Sequence, residues 1–131
     1  MQTRRKLLLS VTLVLVASGA FAHHAYNMFD LGKVATVSGA VRVLEWSNPH
    51  VWLWVDMEDG KGGKVSYGFE TVSPGQLQRD YGWTKSVVKP GDKVVVDYAP
   101  LRSGANGGAV VKVTLPDGRI LTTRLTKPEA K

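Results

Sequence analysis

The chain has 131 residues, no cysteine, three histidines, 17 lysines and arginines against 11 aspartates and glutamates, and 44% apolar residues. That length holds one domain, because two would each have too little interior to bury. The lack of cysteine excludes disulfide frameworks, thiolate metal sites, cysteine-linked haem, cysteine nucleophiles and lipidated cysteines, which leaves oxygen and imidazole groups for any site chemistry.

The N-terminus reads as an export signal. Arg4, Arg5 and Lys6 precede an apolar run from Leu7 to Ala17, and Ser18-Gly19-Ala20-Phe21-Ala22 supplies an A-x-A cleavage site. Cleavage is expected after Ala22. The apolar run falls short of the roughly 20 residues a spanning helix needs, so no stable membrane span is expected after processing. Thr3 to Leu9 also resembles a twin-arginine signal. Removing residues 1–22 takes away three basic residues and no acidic ones, which leaves 109 residues with a net charge of +3 in place of +6. The remaining lysines and arginines are scattered among acids, a pattern that argues against a nucleic-acid partner. The mature protein is expected in the periplasm.

After a lead-in at residues 23–33, the run from Val34 to Trp46 is rich in β-branched residues. It predicts a long strand with Val37, Gly39, Val41 and Val43 on one parity and a bulge at Gly39. Ser47-Asn48-Pro49 breaks it. His50 to Asp56 alternates, with Val51, Leu53 and Val55 pointing inward and His50, Trp52, Trp54 and Asp56 outward. Asp59-Gly60 and Gly62-Gly63 predict a hairpin into a third strand with Val65, Tyr67 and Phe69 on one face. A short helix is predicted from Ser73, with Ser73-Pro74-Gly75-Gln76 as its capping sequence, Leu77 and Tyr81 on its apolar side and Gly82 as its stop. Lys89-Pro90-Gly91-Asp92 is a turn, Lys93 to Ala99 a fourth strand, and Leu101 to Gly108 a glycine-rich flexible loop. Ala109 to Leu115 is a fifth strand, Pro116-Asp117-Gly118 a turn and Arg119 to Leu125 a sixth strand, before a polar tail at 126–131. Three strands, a helix and two or three further strands predict a small OB-like antiparallel barrel of five to six strands over residues 34–125; a β-sandwich is the alternative.

Cleavage after Ala22 makes His23 the first mature residue. Its free amine and ring nitrogen, completed by a further imidazole, form a T-shaped nitrogen set that suits copper, and His24 and His50 are the other histidines of the chain. A plainer reading leaves His23 and His24 as a mobile polar lead-in and gives His50 a structural ring hydrogen bond. Trp52 and Trp54, outside the barrel, mark a surface for a small ligand or an envelope protein partner, unless another element covers them. Trp46 and Trp83 are assigned to the edge of the core. Glu45 and Glu70 lie on strands that can be neighbours, but no Ser/His/Asp set, G-x-S-x-G elbow or H-E-x-x-H pair is present, and Ser103 to Gly108 lacks the Lys-Ser/Thr of a phosphate loop. The chain therefore reads as a non-enzymatic binding protein.

Several segments together resemble a family of small exported bacterial proteins known only as a domain of unknown function. They are Ala22-His23-His24, Phe29-Asp30, Gly39, Glu45-Trp46-Ser47-Asn48-Pro49-His50, Ser73-Pro74, Leu77, Gly82-Trp83-Thr84, Lys89-Pro90-Gly91-Asp92 and Leu115-Pro116-Asp117-Gly118-Arg119. The resemblance implies export, a small β-rich fold and no assigned activity. This chain departs from the family pattern at Ala25, where a serine is usual, and at Leu101-Arg102-Ser103-Gly104, where the family tends to carry Ala-Arg-Asp-Gly.

Overall fold

A computed structural model describes residues 26–127. The elements in chain order are β1 (Ala35–Glu45), β2 (Trp52–Glu58), β3 (Lys64–Glu70), α1 (Pro74–Tyr81), β4 (Lys93–Pro100), β5 (Gly107–Thr114) and β6 (Ile120–Thr122). The strands hydrogen-bond in the order β3-β2-β1-β4-β5-β6, and a further pairing of β3 with β5 closes the first five into a barrel. This is the expected OB-like barrel with one short helix after the third strand. Five of the six pairings are antiparallel, whereas the closing one is parallel, so the barrel is mixed and not purely antiparallel.

Closure depends on two glycines that the sequence places in a loop. Gly107 and Gly108 are the first residues of β5 and pair with Gly68 and Phe69 of β3. A Cβ on Gly107 would stand 2.1 Å from the Gly68 carbonyl oxygen, and one on Gly108 would stand 2.0 Å from the Ala99 carbonyl oxygen. Only backbones without side chains approach that closely.

The core follows the period-two alternation. Val51, Leu53 and Val55 are fully buried, as are Phe69, Val96 and Val113, and α1 seals the barrel with Leu77. Ser73 caps that helix by accepting from the Gln76 N–H at 3.3 Å, Pro74 opens it, and Gly82 ends it in the left-handed region at φ +70°. Trp83 is buried within the core, not at its edge, and donates its indole N–H to the Thr122 carbonyl at 2.8 Å. Trp46 is partly buried against the same cluster.

Two further expectations are corrected. The bulge in β1 falls between Val41 and Val43, not at Gly39; Arg42 is the extra residue, so Val43 turns outward opposite Trp54 while Leu44 faces Leu53. Gly39 is needed instead because a Cβ there would meet the Asp56 carbonyl oxygen at 2.5 Å. The sixth strand stops at Thr122: the Thr123 side chain is buried and its hydroxyl donates to the Val110 carbonyl at 2.7 Å, which turns the chain away from the ladder.

Tyr98 lies between Phe69, 4.9 Å away between ring centroids, and Tyr67 at 6.3 Å. Burial pushes its phenol above the usual value of 10.0, and the neighbouring Tyr67 adds to the shift. The folded state therefore holds this proton more tightly than the unfolded state does. Its contribution is intact below pH 10.0 and is lost as pH rises through the folded value. Urea unfolding from pH 7 to 11 is expected to show a stability loss above about pH 10 that is shallower in Tyr98→Phe. An identical alkaline limb in that variant contradicts the assignment.

Candidate functional site

Residues spaced by two on a strand share one face, so His50, Trp52 and Trp54 rise in a column along the outer wall of β2. The column is set by its opposite parity, since Val51, Leu53 and Val55 are locked inward at 0% exposure. The chain enters β2 through a cis Asn48–Pro49 peptide, and Val51 is pinned to the segment just after β3 by two bonds: its N–H donates to the Val72 carbonyl at 2.9 Å and its carbonyl accepts from the Thr71 N–H at 3.0 Å.

His50 has a specific partner. Its Nδ1 hydrogen-bonds Glu70 Oε1 at the end of β3. A carboxylate accepts only, so Nδ1 carries the proton in the neutral ring and the lone pair is left on Nε2. The Glu70 side chain is only 12% exposed, while the His50 ring keeps 32% of its surface open. Glu70 therefore orients a ring that stays partly exposed. Metal-bound histidines are commonly held this way, by a carboxylate on the other ring nitrogen.

Glu45 and Glu70 do not meet. Each stands directly opposite Trp52, one on either side, which separates them by two strand spacings, about 9.5 Å. Trp52 and Trp54 stack on each other at 5.9 Å with a 19° interplanar angle. Trp54 is half-buried: its ring lies across Gly68, where a Cβ would stand 2.7 Å from it, and the Arg42 guanidinium sits 5.1 Å from its centroid. Its indole N–H is buried and finds no acceptor among the described residues. The two indoles thus form one stacked unit on the wall.

Glu70 also faces the start of the described chain. Tyr26, Glu70 and Arg124 line one cavity of about 10 Å³, the lower limit for a single water. Burial pushes the Tyr26 phenol up, the Arg124 guanidinium opposes that shift, and the Glu70 carboxylate reinforces it. The lead-in is docked from Tyr26 onward: Phe29 is buried and bridges to Leu101. His23 and His24 lie outside the described residues. Among the described residues, no three histidine or carboxylate side chains come together as a metal-binding group.

A broader open groove of about 1090 Å³ shares Thr123, Arg124 and Leu125 with that cavity, with Leu31, Val34 and Ile120 exposed along it and the Asp97–Lys112 ion pair among its lining. It contains none of the sequence-predicted site residues. No helix among the described residues is long and apolar enough to cross a membrane.

Glu70 and Tyr26 are the site residues that the sequence reading misses as a pair with His50. A signal for Glu70 exists: with the hairpin turn centred on Lys61, counting outward places Glu70 opposite Trp52, next to His50. No curated protein and no solved structure matches the chain. Residues 11–110, the span that carries every candidate residue named above except Arg124, match the model of a family of unknown function, DUF6152, and the chain belongs to that family.

Proposed function

We propose that this is an exported, periplasmic copper-binding barrel in which the mature N-terminal amine and ring of His23, with His24 beside it, combine with Nε2 of His50. The observation that carries this reading is the His50–Glu70 pair, which fixes the tautomer and leaves one imidazole nitrogen free on an open edge. The path of the chain supports it. Tyr26 shares a cavity with Glu70. His24 and His23 precede Tyr26 by two and three residues, at most about 7 and 11 Å of extended backbone. An amine and two or three imidazole nitrogens in a planar set suit Cu(II).

A second reading, an envelope adaptor that docks a protein partner through Trp52 and Trp54, draws on the position of both indoles on the outer wall. It predicts no response to metal.

Calorimetric titration of Cu(II) into protein that begins at His23 separates the two. The copper reading predicts one site with a Kd of about 1 μM or tighter. His50→Ala should weaken it at least tenfold, and Glu70→Gln, which removes the orienting acceptor charge, by about 10- to 100-fold. At a hundredfold excess over Kd the metal should add about 2.7 kcal/mol of stability. Binding weaker than micromolar, or unchanged in His50→Ala, defeats the proposal.

A further inference from the structure

The open groove of about 1090 Å³ plays no part in the copper reading, and its lining follows from the strand register. One row of outward residues crosses four strands: Thr36, Asp97, Lys112 and Thr122 stand opposite one another in turn. This row is polar. Thr36 donates its hydroxyl to Asp97 at 2.6 Å, and Lys112 pairs with the other oxygen of that carboxylate at 3.6 Å. Two residues along the strands, about 6.8 Å away, the next outward row is Ser38, Val95, Thr114 and Ile120, with Val95 and Ile120 exposed. On the other side of the polar row stands Val34, two residues before Thr36, with Leu31 beyond it in the lead-in; both are exposed. Apolar, polar and apolar bands thus alternate at the spacing of side chains on one face of an extended chain.

The charges around the groove do not balance. Asp30 is matched by Lys33 at 3.3 Å, Asp80 by Arg79 at 2.9 Å and Asp97 by Lys112. Arg124 and Lys127 line the groove from the turn after β6, are exposed, and form no ion pair among the described residues. Residues 26–127 hold 13 lysines and arginines and 10 aspartates and glutamates, so these two cations make up most of the excess of three. Their base is firm, since the Thr123 and Thr126 hydroxyls donate to the Val110 and Val111 carbonyls and tie the turn to β5. The Arg124 guanidinium also lies 4.5 Å from the Tyr26 ring centroid. A guanidinium stacked on a ring keeps its in-plane N–H donors available to an anion.

We propose that this groove docks an extended acidic segment of a partner protein, whose apolar side chains seat on Leu31, Val34 and Ile120 and whose carboxylates meet Arg124 and Lys127. The chemistry of the lining selects this occupant. The alkyl chain of a lipid would lay methylenes over the Asp97–Lys112 pair and strip water from it without offering a partner. A peptide brings its own N–H and C=O groups to that band, and its alternate side chains reach the apolar bands on either side. The two unmatched cations attract an acidic segment and repel a basic one. The site is separate from His50 and independent of the copper reading.

The test is fluorescence anisotropy on the exported protein with labelled peptides of about ten residues, long enough to cross all three bands. Three peptides are compared, alternating leucine with glutamate, leucine with lysine, and serine with glutamate. The leucine–glutamate peptide should bind saturably with a Kd of about 10–100 μM, and each of the other two at least about tenfold more weakly. The double variant Arg124→Gln/Lys127→Gln should weaken its binding about tenfold and Ile120→Thr about fivefold. All three positions are exposed, and thermal unfolding checks that the fold is kept. Lys61→Gln/Lys85→Gln removes the same charge outside the groove and should leave binding unchanged. Equal affinity for the leucine–lysine peptide, no saturable binding at about 1 mM, or wild-type affinity in both groove variants overturns the proposal. Sedimentation of the protein with phosphatidylglycerol vesicles in the absence of peptide binding also overturns it, because the surface would then serve a membrane.

Discussion

Replacing Trp83 by alanine is expected to cost about 3–5 kcal/mol, the range for deleting a fully buried large aromatic side chain. Trp83 is the largest fully buried side chain of the core and sits just past the end of α1. Its indole N–H donates to Thr122, the last residue of β6. Alanine thus leaves a void where helix, barrel and last strand converge, and strips an acceptor of its partner. Against a typical total stability of about 5–15 kcal/mol, that loss brings the barrel close to unfolding. Trp83→Phe keeps most of the volume but not the donor, and is expected to cost about 1–3 kcal/mol. Urea midpoints at unchanged slope are the measurement; a Trp83→Ala loss below about 1.5 kcal/mol contradicts this placement of the indole.

Gly107→Ala is expected to cost about 3 kcal/mol. Two causes act together: φ is +131°, a region L residues avoid, and the new methyl would meet the Gly68 carbonyl oxygen at 2.1 Å. The atom in the way is backbone of the partner strand, so relief requires β3 and β5 to part, and that pairing is the one that closes the barrel. For a domain of this size the loss corresponds to a fall in Tm of about 15 °C. Gly75→Ala is the contrast: it lies in α1 with nothing within 4 Å of the added methyl, and is expected to be neutral or slightly stabilising. Equal Tm values for the two variants would contradict the close approach at the seam.

Sequence reading stops at both positions, since Trp83 reads as an edge residue and Gly107 as loop, and it succeeds where the pattern is local. The inward set Val51, Leu53 and Val55, the Ser73 cap and the Gly82 stop are local patterns, fixed by the period of a strand and by the unsatisfied groups at helix ends. Gly107 and Gly108 read as loop because glycine composition reports freedom of the chain, whereas their need arises from strands that are distant in sequence. Arg42 has no local mark as a bulge: in Val41-Arg42-Val43-Leu44 either parity is apolar, and only the register with β2 decides which valine faces out. His50 was legible as a polar residue beside a turn, and Glu70 follows from hairpin counting. The Arg124–Tyr26 contact joins the two ends of the domain and leaves no trace in either local segment.

The proposed copper site requires a mature N-terminus at His23 that shares its metal with His50. Native mass spectrometry of the exported protein, purified without chelator, tests it in one measurement. The expected mass is that of a chain starting at His23 plus one copper ion, with the metal lost from His50→Ala; a different N-terminus, or a chain that carries no copper, would contradict the proposal.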